Sequence, residues 1–195
     1  MNHRRVANLK QLDKYEIATV GLDPLSALVE PFRYNRPNTI QLTIFDENDN
    51  QIGLMPKMEA HSKGLLHRAF SVFILNGKNE LMLQKRAINK YHSPGLWTNT
   101  CCSHPSEGES ILSAGRRRLN EEMGIYTELN EVFHFIYKAP FDNGLIEYEL
   151  DHVLIGNYYN DPIININEVS DWKWMSIGMI EKDIKINPLN YTEWF

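Results

Sequence analysis

The sequence has 195 residues, a length that suits one domain with a full-sized core, or one domain and a tail. Its formal net charge of −5 argues against a nucleic-acid partner, because nucleic-acid-binding domains usually carry a basic surface. No apolar run is long enough to cross a bilayer, and no apolar stretch of the signal-peptide kind follows the positive charges near the amino terminus. We therefore expect no membrane span and no nucleic-acid partner.

The two cysteines, Cys101 and Cys102, are neighbours in the sequence. Disulfide geometry makes a bond between adjacent residues uncommon, so the sequence offers no disulfide framework. Free thiols persist in reducing compartments, and the cysteine content therefore favours a cytoplasmic location.

The first 38 residues differ in composition from the rest of the chain. They contain Pro24, Pro31 and Pro37 and show little periodicity. We interpret residues 1–38 as an amino-terminal extension that is poorly ordered. Residues 39–195 form the predicted domain.

The domain begins with a series of strands, continues through one central helix and ends with more strands. The predicted strands span residues 39–45, 51–55, 69–75, 80–86, 132–139, 148–159 and 171–175. A loop rich in His, Pro and Gly is expected over 89–108, a helix over 109–123 with Gly124 at its end, and a short helix over 176–184. Many strands with one central helix predict an α+β fold, in which a mixed β-sheet is flanked by helices.

Histidines and carboxylates form the first candidate site. His61 and His67 flank the segment SKGLL, His104 follows the cysteine pair, and Glu147 and Glu149 are two residues apart. Side chains at i and i+2 of a strand point to the same face, so both carboxylates could contact one ion. Three imidazoles and two carboxylates suit zinc, manganese or iron better than calcium. The alternative is that these histidines are ordinary surface or core residues.

The segment from Ser103 to Ile125 contains the second candidate site. It can be aligned with the Nudix box, the pattern G-x5-E-x7-R-E-U-x-E-E-x-G-U in which U is apolar. Ser103 stands where the pattern has its first glycine, and Arg118 replaces the acid that follows the arginine. The residues that match are Glu109, Arg117, Leu119, Glu121, Glu122, Gly124 and Ile125.

Arg118 changes what this helix can do. Nudix hydrolases use the carboxylate cluster of the box to gather metal ions and cleave a diphosphate, whereas an arginine supplies a fork that binds phosphate. Arg118 and Glu122 lie at i and i+4 on one helix face, which could hold a diphosphate without cleaving it. The alternative is a solvated, charged helix with Arg117–Glu121 and Arg118–Glu122 ion pairs.

Longer stretches of the chain resemble the type 1 isopentenyl-diphosphate isomerases, an offshoot of the Nudix fold. The stretches that carry the resemblance are KMEAHSKGLLHRAFSVFIL, QKRAINKYHSPGLWTNTCCSHP, GRRRLNEEMGI, FIYKAPFDNGLIEYELDHVL and DWKWM. They span about residues 40–195, and the cysteine loop is highly specific. The resemblance implies a Nudix fold and a metal-dependent enzyme of isoprenoid biosynthesis that interconverts isopentenyl diphosphate and dimethylallyl diphosphate.

The resemblance also implies which residues bind the metals and the substrate. A first divalent ion, Mn²⁺ or Zn²⁺, would be held by His61, His67, His104, Glu147 and Glu149. Mg²⁺ that bridges the diphosphate would rest on Glu122. The diphosphate itself would contact Lys57, Arg86, Lys90 and Arg118.

The same resemblance assigns the catalytic groups. The expected catalytic thiol is Cys102, three residues after the asparagine of W-T-N, rather than Cys101. Glu149 is the expected acid, with Tyr137 as its relay, and the indole of Trp194 is expected to stabilise a carbocation. Because Trp194 lies near the carboxy terminus, we expect the last residues to be loose until substrate binds.

Two other functions stay open at this point. A Nudix-type diphosphate hydrolase would use the same helix, but it needs the acid that Arg118 replaces. A non-catalytic binding module would use the basic residues and histidines only for structure. The sequence does not indicate an oligomeric state.

Overall fold

The computed structural model describes residues 41–48, 50–141 and 143–195, so the predicted extension over residues 1–38 lies outside the described residues. The strands are β1 (Gln41–Phe45), β2 (Gln51–Pro56), β3 (His67–Leu75), β4 (Glu80–Arg86), β5 (Trp97–Thr98), β6 (Cys101–Ser103), β7 (Asn130–Pro140), β8 (Ile146–Asn157) and β9 (Val169–Ser176). The helices are α1 (Lys57–Lys63), α2 (Ile111–Met123) and α3 (Ile177–Ile186), followed by a 3-10 helix at Pro188–Asn190.

The strands of the described chain form one mixed sheet around β3. β3 pairs antiparallel with β1, β4 and β6 and parallel with β8. β7 then adds to β8, and β9 adds to β4, both antiparallel. The near-continuous apolar sequence of β3 is typical of a strand that is covered on both faces. The predicted α+β fold with a mixed sheet is confirmed.

Two apolar clusters cover the two faces of the sheet. One contains Phe73, Val153 and Ile180, and therefore joins β3 and β8 to α3. The other joins the same strands to α2, and Gly115 of α2 shows how close this contact is. A Cβ atom at Gly115 would lie 2.5 Å from Cδ1 of Leu154, so any larger side chain would force either Leu154 or α2 to shift.

Helix α2, the helix of the Nudix-box segment, has clear signals at both ends. Ser110 caps its amino end by accepting a hydrogen bond of 3.2 Å from the backbone N–H of Ser113. Gly124 ends it in the left-handed region with φ of 65°. The helix therefore begins at Ile111, two residues after the predicted start, and Glu109 lies before it.

Four elements of the described chain were not predicted: α1, β5, β6 and the 3-10 helix. Helix α1 spans only seven residues, and Pro56 before it offers no capping side chain, so the sequence contains no start signal for it. The short strands β5 and β6 fall within the predicted loop over 89–108, and their pairing with β4 and β3 places the cysteine loop on the sheet. Among the described residues, none of the helices is both long and apolar enough to cross a membrane.

Candidate active site

A single pocket gathers the predicted site residues from both ends of the domain. It is bordered by α1, α2, strands β3, β4, β6, β7 and β8, and the carboxy-terminal segment. The predicted residues that line it are Lys57, Arg86, Lys90, Cys102, His104, Arg118, Glu122, Tyr137, Glu147, Glu149 and Trp194. His61 and His67 are fully buried beside His104 and complete the set.

Three histidines and one glutamate converge at one end of the pocket. Nε2 of His61 lies 3.3 Å from Nε2 of His67, and Nε2 of His104 lies 2.9 Å from Oε1 of Glu149. The same Glu149 oxygen is 3.5 Å from Nε2 of His67. Ligands about 2.0–2.1 Å from a four-coordinate ion are roughly 3.3 Å apart, so these four atoms fit around one divalent metal ion.

The electrostatics of the cluster also suit a metal ion. Burial, reinforced by neighbouring cationic groups, lowers the pKa of His61 and His104 to about 3. Both imidazoles are therefore neutral, which is the form that binds metals. Burial alone would raise the pKa of Glu149, but hydrogen bonds from His104 and His67 outweigh it and hold that pKa well below its usual value.

Glu147 lies on the same face of β8 as Glu149, as the i, i+2 spacing predicts, but it has different partners. Its carboxylate is 3.1 Å from the hydroxyl of Tyr137 and 3.3 Å from Nε2 of His92, and it is not among the four groups that converge. Burial, with repulsion from Glu149, raises the pKa of Glu147 well above its usual value. The assignment of Glu147 as a metal ligand stays a prediction.

The predicted acid and its relay are in direct contact. Tyr137 and Glu149 are register partners in the β7–β8 ladder, and the phenol donates a hydrogen bond of 2.5 Å to the Glu149 carboxylate. Burial and the two neighbouring carboxylates raise the pKa of Tyr137 well above its usual value, so the phenol keeps its proton. This contact provides a path for a proton between the histidine cluster and the pocket.

A second, more basic region of the pocket surrounds α2. Arg118 contacts Glu122 at 2.5 Å and Glu121 at 2.6 Å, and Gln84 donates a hydrogen bond of 3.2 Å to Glu122. Lys90 reaches this region through an ion pair with Glu168. The predicted Arg118–Glu122 pair is therefore present, and it faces the pocket rather than solvent.

Two further cations approach the pocket from other elements. The ammonium group of Lys57 lies 3.3 Å from Nδ1 of His104, and burial lowers its pKa. Arg86 donates a hydrogen bond of 3.3 Å to the backbone carbonyl of His92. The four predicted diphosphate contacts, Lys57, Arg86, Lys90 and Arg118, thus come from α1, β4, the following loop and α2.

The two adjacent cysteines have different environments. Cys101 is completely buried in the apolar cluster beneath α2, whereas Cys102 lines the pocket, opposite Ser71 in the β3–β6 register. Burial raises the pKa of Cys102 to about 12. Strand alternation separates the two thiols, as expected for neighbours in an extended segment.

The carboxy-terminal segment is packed onto the domain, so the expectation of a loose tail is wrong. Trp194 is 8% exposed and Phe195 2% exposed. The Phe195 ring stacks on Phe73 with 6.3 Å between centroids, and the backbone N–H of Thr192 donates a hydrogen bond of 3.0 Å to the carbonyl of Trp97. These contacts hold the last residues in place, although a chain terminus ordinarily frays.

The prediction of site residues missed His92. This side chain is buried and contacts Glu147. Its ring stacks on Phe141 with 5.2 Å between centroids and makes a T-shaped contact with Trp194 with 5.6 Å between centroids. Burial lowers its pKa to about 3. The only signal in the sequence was its place in the specific loop KYHSPGLWTNTCCSHP, because its contacts depend on how that loop folds over β8.

The fold and the pocket together define a Nudix domain. A family model described as "NUDIX domain" matches residues 65–195. The chain is similar in structure to a protein from Deinococcus radiodurans, DR0079, with a TM-score of 0.63, 19% identity, and coverage of 75% of this chain and 90% of that one. At that identity the likeness concerns the fold alone.

Relatives found by sequence identify the family within the Nudix domain proteins. The chain is 48% identical over 154 residues to "Isopentenyl-diphosphate Delta-isomerase 2" of Aromatoleum aromaticum, covering 79% of this chain and 82% of the relative. It is 52% identical over 154 residues to "Isopentenyl-diphosphate Delta-isomerase 2" of Photorhabdus laumondii, covering 79% and 87%. The chain therefore belongs to the isopentenyl-diphosphate Delta-isomerase family within the Nudix domain proteins.

Proposed function

We propose that this protein interconverts isopentenyl diphosphate and dimethylallyl diphosphate, moving one carbon–carbon double bond for the synthesis of isoprenoid precursors. The observation that carries the proposal is that one pocket contains two separate proton-handling groups, the Cys102 thiol and the Tyr137–Glu149 pair. Removal and addition of a proton at two different carbons need two such groups. The family membership supports the same conclusion.

The basic residues of the pocket bind the diphosphate in this proposal. Arg118, with its planar fork, contacts phosphate oxygens, and Lys57, Arg86 and Lys90 complete the anion site. Arg118 already neutralises the helix carboxylates at 2.5–2.6 Å. Because Arg118 stands in place of an acid of the Nudix box, the helix favours holding a diphosphate over cleaving it.

Two divalent ions are part of the proposal. Mn²⁺ or Zn²⁺ would be held by His61, His67, His104 and Glu149, with Glu147 as a further ligand, and would supply a fixed positive charge that tunes the acidity of the adjoining proton donor. Mg²⁺ would enter with the diphosphate and rest on Glu122, where it would neutralise phosphate charge.

The proton transfers are assigned to groups on the chain itself. Glu149, with Tyr137 as its relay, is the acid: because its pKa is held well below its usual value, it must take up a proton from solvent in each turnover, and it adds that proton to the terminal carbon of the alkene, which leaves positive charge on the neighbouring tertiary carbon. Cys102 rests as the thiol, so it first gives its own proton to solvent; the resulting thiolate then takes a proton from the carbon on the diphosphate side of that centre, and the new double bond forms. Since burial raises the pKa of Cys102 to about 12, its thiolate is a strong base; in the reverse direction the thiol returns the proton.

The aromatic side chains of the pocket stabilise the carbocation in this proposal. Trp194 lies in one cluster with Tyr137, and Cys102 packs against it. An indole face attracts a cation by about 2 kcal/mol when both are desolvated. Burial of this cluster also excludes water, which would otherwise capture the carbocation.

The test is a direct assay of the purified full chain with isopentenyl diphosphate in deuterated water. We expect dimethylallyl diphosphate carrying solvent deuterium, without release of phosphate or pyrophosphate. Release of phosphate or pyrophosphate would instead identify a Nudix-type hydrolase, and binding with neither product would identify a binding module. We place the reaction in a reducing cytoplasm, where the free thiols Cys101 and Cys102 persist.

A further inference from the structure

A second group of metal-ligating side chains lies on the opposite face of the β7–β8 ladder from the pocket. His134 of β7 is the direct register partner of His152 of β8. Side chains alternate between the two faces of a strand, and Tyr137 and Glu149 occupy the pocket face. The two histidines, three residues from each of them, therefore point to the other face.

A β-bulge brings an acid to the same place. Glu131 and His134 are three residues apart, a spacing that puts side chains on opposite faces of a regular strand. The β7–β8 register shifts between Glu131 and Phe133, so one extra residue is inserted. As a result, Glu131 lies on the same face as His134 and His152.

The three side chains are close enough to share one ion. One ligand atom from each lies within 4.8 Å of the other two, and Nδ1 of His152 is 2.7 Å from Oε1 of Glu131. The rings of His134 and His152 have centroids 5.4 Å apart. Glu131 and His134 are exposed, so an ion can reach them from solvent.

His152 is held as a rigid ligand. It is 7% exposed, its Nε2 is buried without a hydrogen-bond partner among the described residues, and Glu131 is its polar contact at Nδ1. A ring already fixed by packing loses little rotamer freedom when it binds an ion.

We propose that Glu131, His134 and His152 form a second divalent-cation site, of the zinc class, separate from the active site. Two imidazoles and one carboxylate are the ligands of zinc-type ions, and Mg²⁺ prefers oxygen ligands. Ligands of a tetrahedral ion lie roughly 3.3 Å apart, so Glu131 must move away from His152 by about half an ångström. The ion would join β7 to β8, the strand whose other face carries Glu147 and Glu149.

The test measures Zn²⁺ binding to the full chain without an affinity tag, after metal removal with a chelator. Competition with a chromogenic chelator gives the stoichiometry and affinity for wild type, His134→Ala, His104→Ala and the double variant. We expect His134→Ala to lose one Zn²⁺ equivalent or to bind it at least about tenfold more weakly, since even outer-shell changes cost that much. His104→Ala should keep this equivalent, and the double variant should keep neither.

Lys138→Ala is the matched control, because Lys138 lies on the same face of β7 outside the cluster and should leave Zn²⁺ binding unchanged. In the His104→Ala background, Zn²⁺ should raise the melting temperature only while His134 is present. Isomerase turnover of His134→Ala, measured separately with saturating metal, should equal that of wild type. The proposal is overturned if His134→Ala and Glu131→Gln both bind Zn²⁺ with wild-type stoichiometry and affinity, or if His104→Ala removes all Zn²⁺ binding.

Discussion

The phenol of Tyr137 is shared between two carboxylates, because its hydroxyl donates to Glu149 at 2.5 Å and also lies 3.1 Å from Glu147. The register of β7 and β8 sets this arrangement, since Tyr137 is paired directly with Glu149. One hydroxyl therefore connects a carboxylate in contact with the histidines to one that faces His92. In the proposed mechanism, the proton added to the substrate passes through that hydroxyl.

The first prediction follows from this contact. Tyr137→Phe removes the hydroxyl and keeps the ring, so we expect kcat to fall by about a hundredfold or more, which is the usual contribution of a positioned proton-transfer group. Tyr148→Phe is the matched control, because its hydroxyl bonds to Glu47 at 3.0 Å on the protein surface. Steady-state assays should show unchanged kcat for the control. Equal kcat in wild type and Tyr137→Phe would remove the relay from the mechanism.

The second prediction separates the two cysteines. Cys102→Ala should abolish isomerisation, because Cys102 lines the pocket as the proposed base. Cys101→Ala should keep much of the turnover and lose about 1 kcal/mol of unfolding free energy, a typical cost for a point change, since Cys101 is fully buried in the core. Turnover and urea unfolding of both variants check this, and an equal loss of turnover in the two would contradict the assignment.

The third prediction concerns the pH dependence of thiol alkylation. Burial raises the pKa of Cys102 to about 12, and only the thiolate reacts with iodoacetamide. Below that pKa the thiolate fraction grows about tenfold per pH unit, so at pH 8 it is about a thousandfold below that of an ordinary thiol of pKa about 8.5. In metal-free Cys101→Ala protein, the alkylation rate should rise about tenfold per pH unit with no levelling up to pH ~10, and substrate should slow it. A rate that levels off above pH ~9 would show an ordinary thiol.

Local spacing was enough to predict one part of the site. The Arg118–Glu122 pair at i, i+4 is formed at 2.5 Å and the Arg117–Glu121 pair at 3.4 Å, because neighbours on a helix face meet whatever the rest of the fold does. Helix α1 was not predictable in the same way, since its seven residues are too few for an apolar period.

Contacts that depend on tertiary packing could not be predicted from sequence patterns. His92 meets Glu147 only because the loop after β4 folds over β8. The bulge at Val132 has no signature in the sequence, yet it decides which face of β7 presents Glu131. In both cases the position of a side chain depends on the register or path of a segment that is distant in sequence. The hydrophobic periodicity of the sequence contains no information about such contacts.

The fourth prediction distinguishes the two metal positions proposed for the active site. His104→Ala should lose the tightly held ion, because its Nε2 lies in the convergent cluster 2.9 Å from Glu149. Glu122→Gln should keep that ion and instead weaken Mg²⁺-dependent binding of the diphosphate, since Glu122 lies in the basic region with Arg118. Metal analysis after gel filtration, and substrate KM at varied Mg²⁺, separate the two effects. Retention of a full equivalent of that ion and of normal turnover by His104→Ala would show that the histidine cluster is structural.

The two aromatic residues at the carboxy terminus have different positions: Phe195 packs in the core, whereas Trp194 lines the pocket. Phe195 is enclosed by Phe73 and Tyr191, with ring centroids at 6.3 Å and 5.8 Å, and it does not line the pocket. Trp194 does line the pocket, and the guanidinium carbon of Arg86 lies 5.3 Å from its ring centroid. Arg86, a proposed diphosphate contact, therefore also holds the indole in place.

The fifth prediction tests whether the indole of Trp194 stabilises positive charge in the bound substrate. Loss of a desolvated cation–π contact of about 2 kcal/mol corresponds to a fall of roughly thirtyfold. Trp194→Ala should therefore lower kcat by about that factor and weaken binding of an ammonium analogue of the carbocation similarly, whereas binding of a neutral analogue of the same shape should change less. Trp194→Phe, which keeps an aromatic face, should lose less than Trp194→Ala in both measurements.

Phe195→Ala serves as the comparison for this fifth prediction, because it truncates the neighbouring ring without touching the pocket. It should cost about 3–5 kcal/mol of unfolding free energy, as buried phenylalanines usually do, while the ratio of ammonium to neutral analogue affinity stays at the wild-type value in the folded fraction. Trp194→Ala should change that ratio. If Trp194→Ala leaves turnover and the ratio unchanged, the indole packs the domain as Phe195 does, and the positive charge is stabilised by other groups of the pocket.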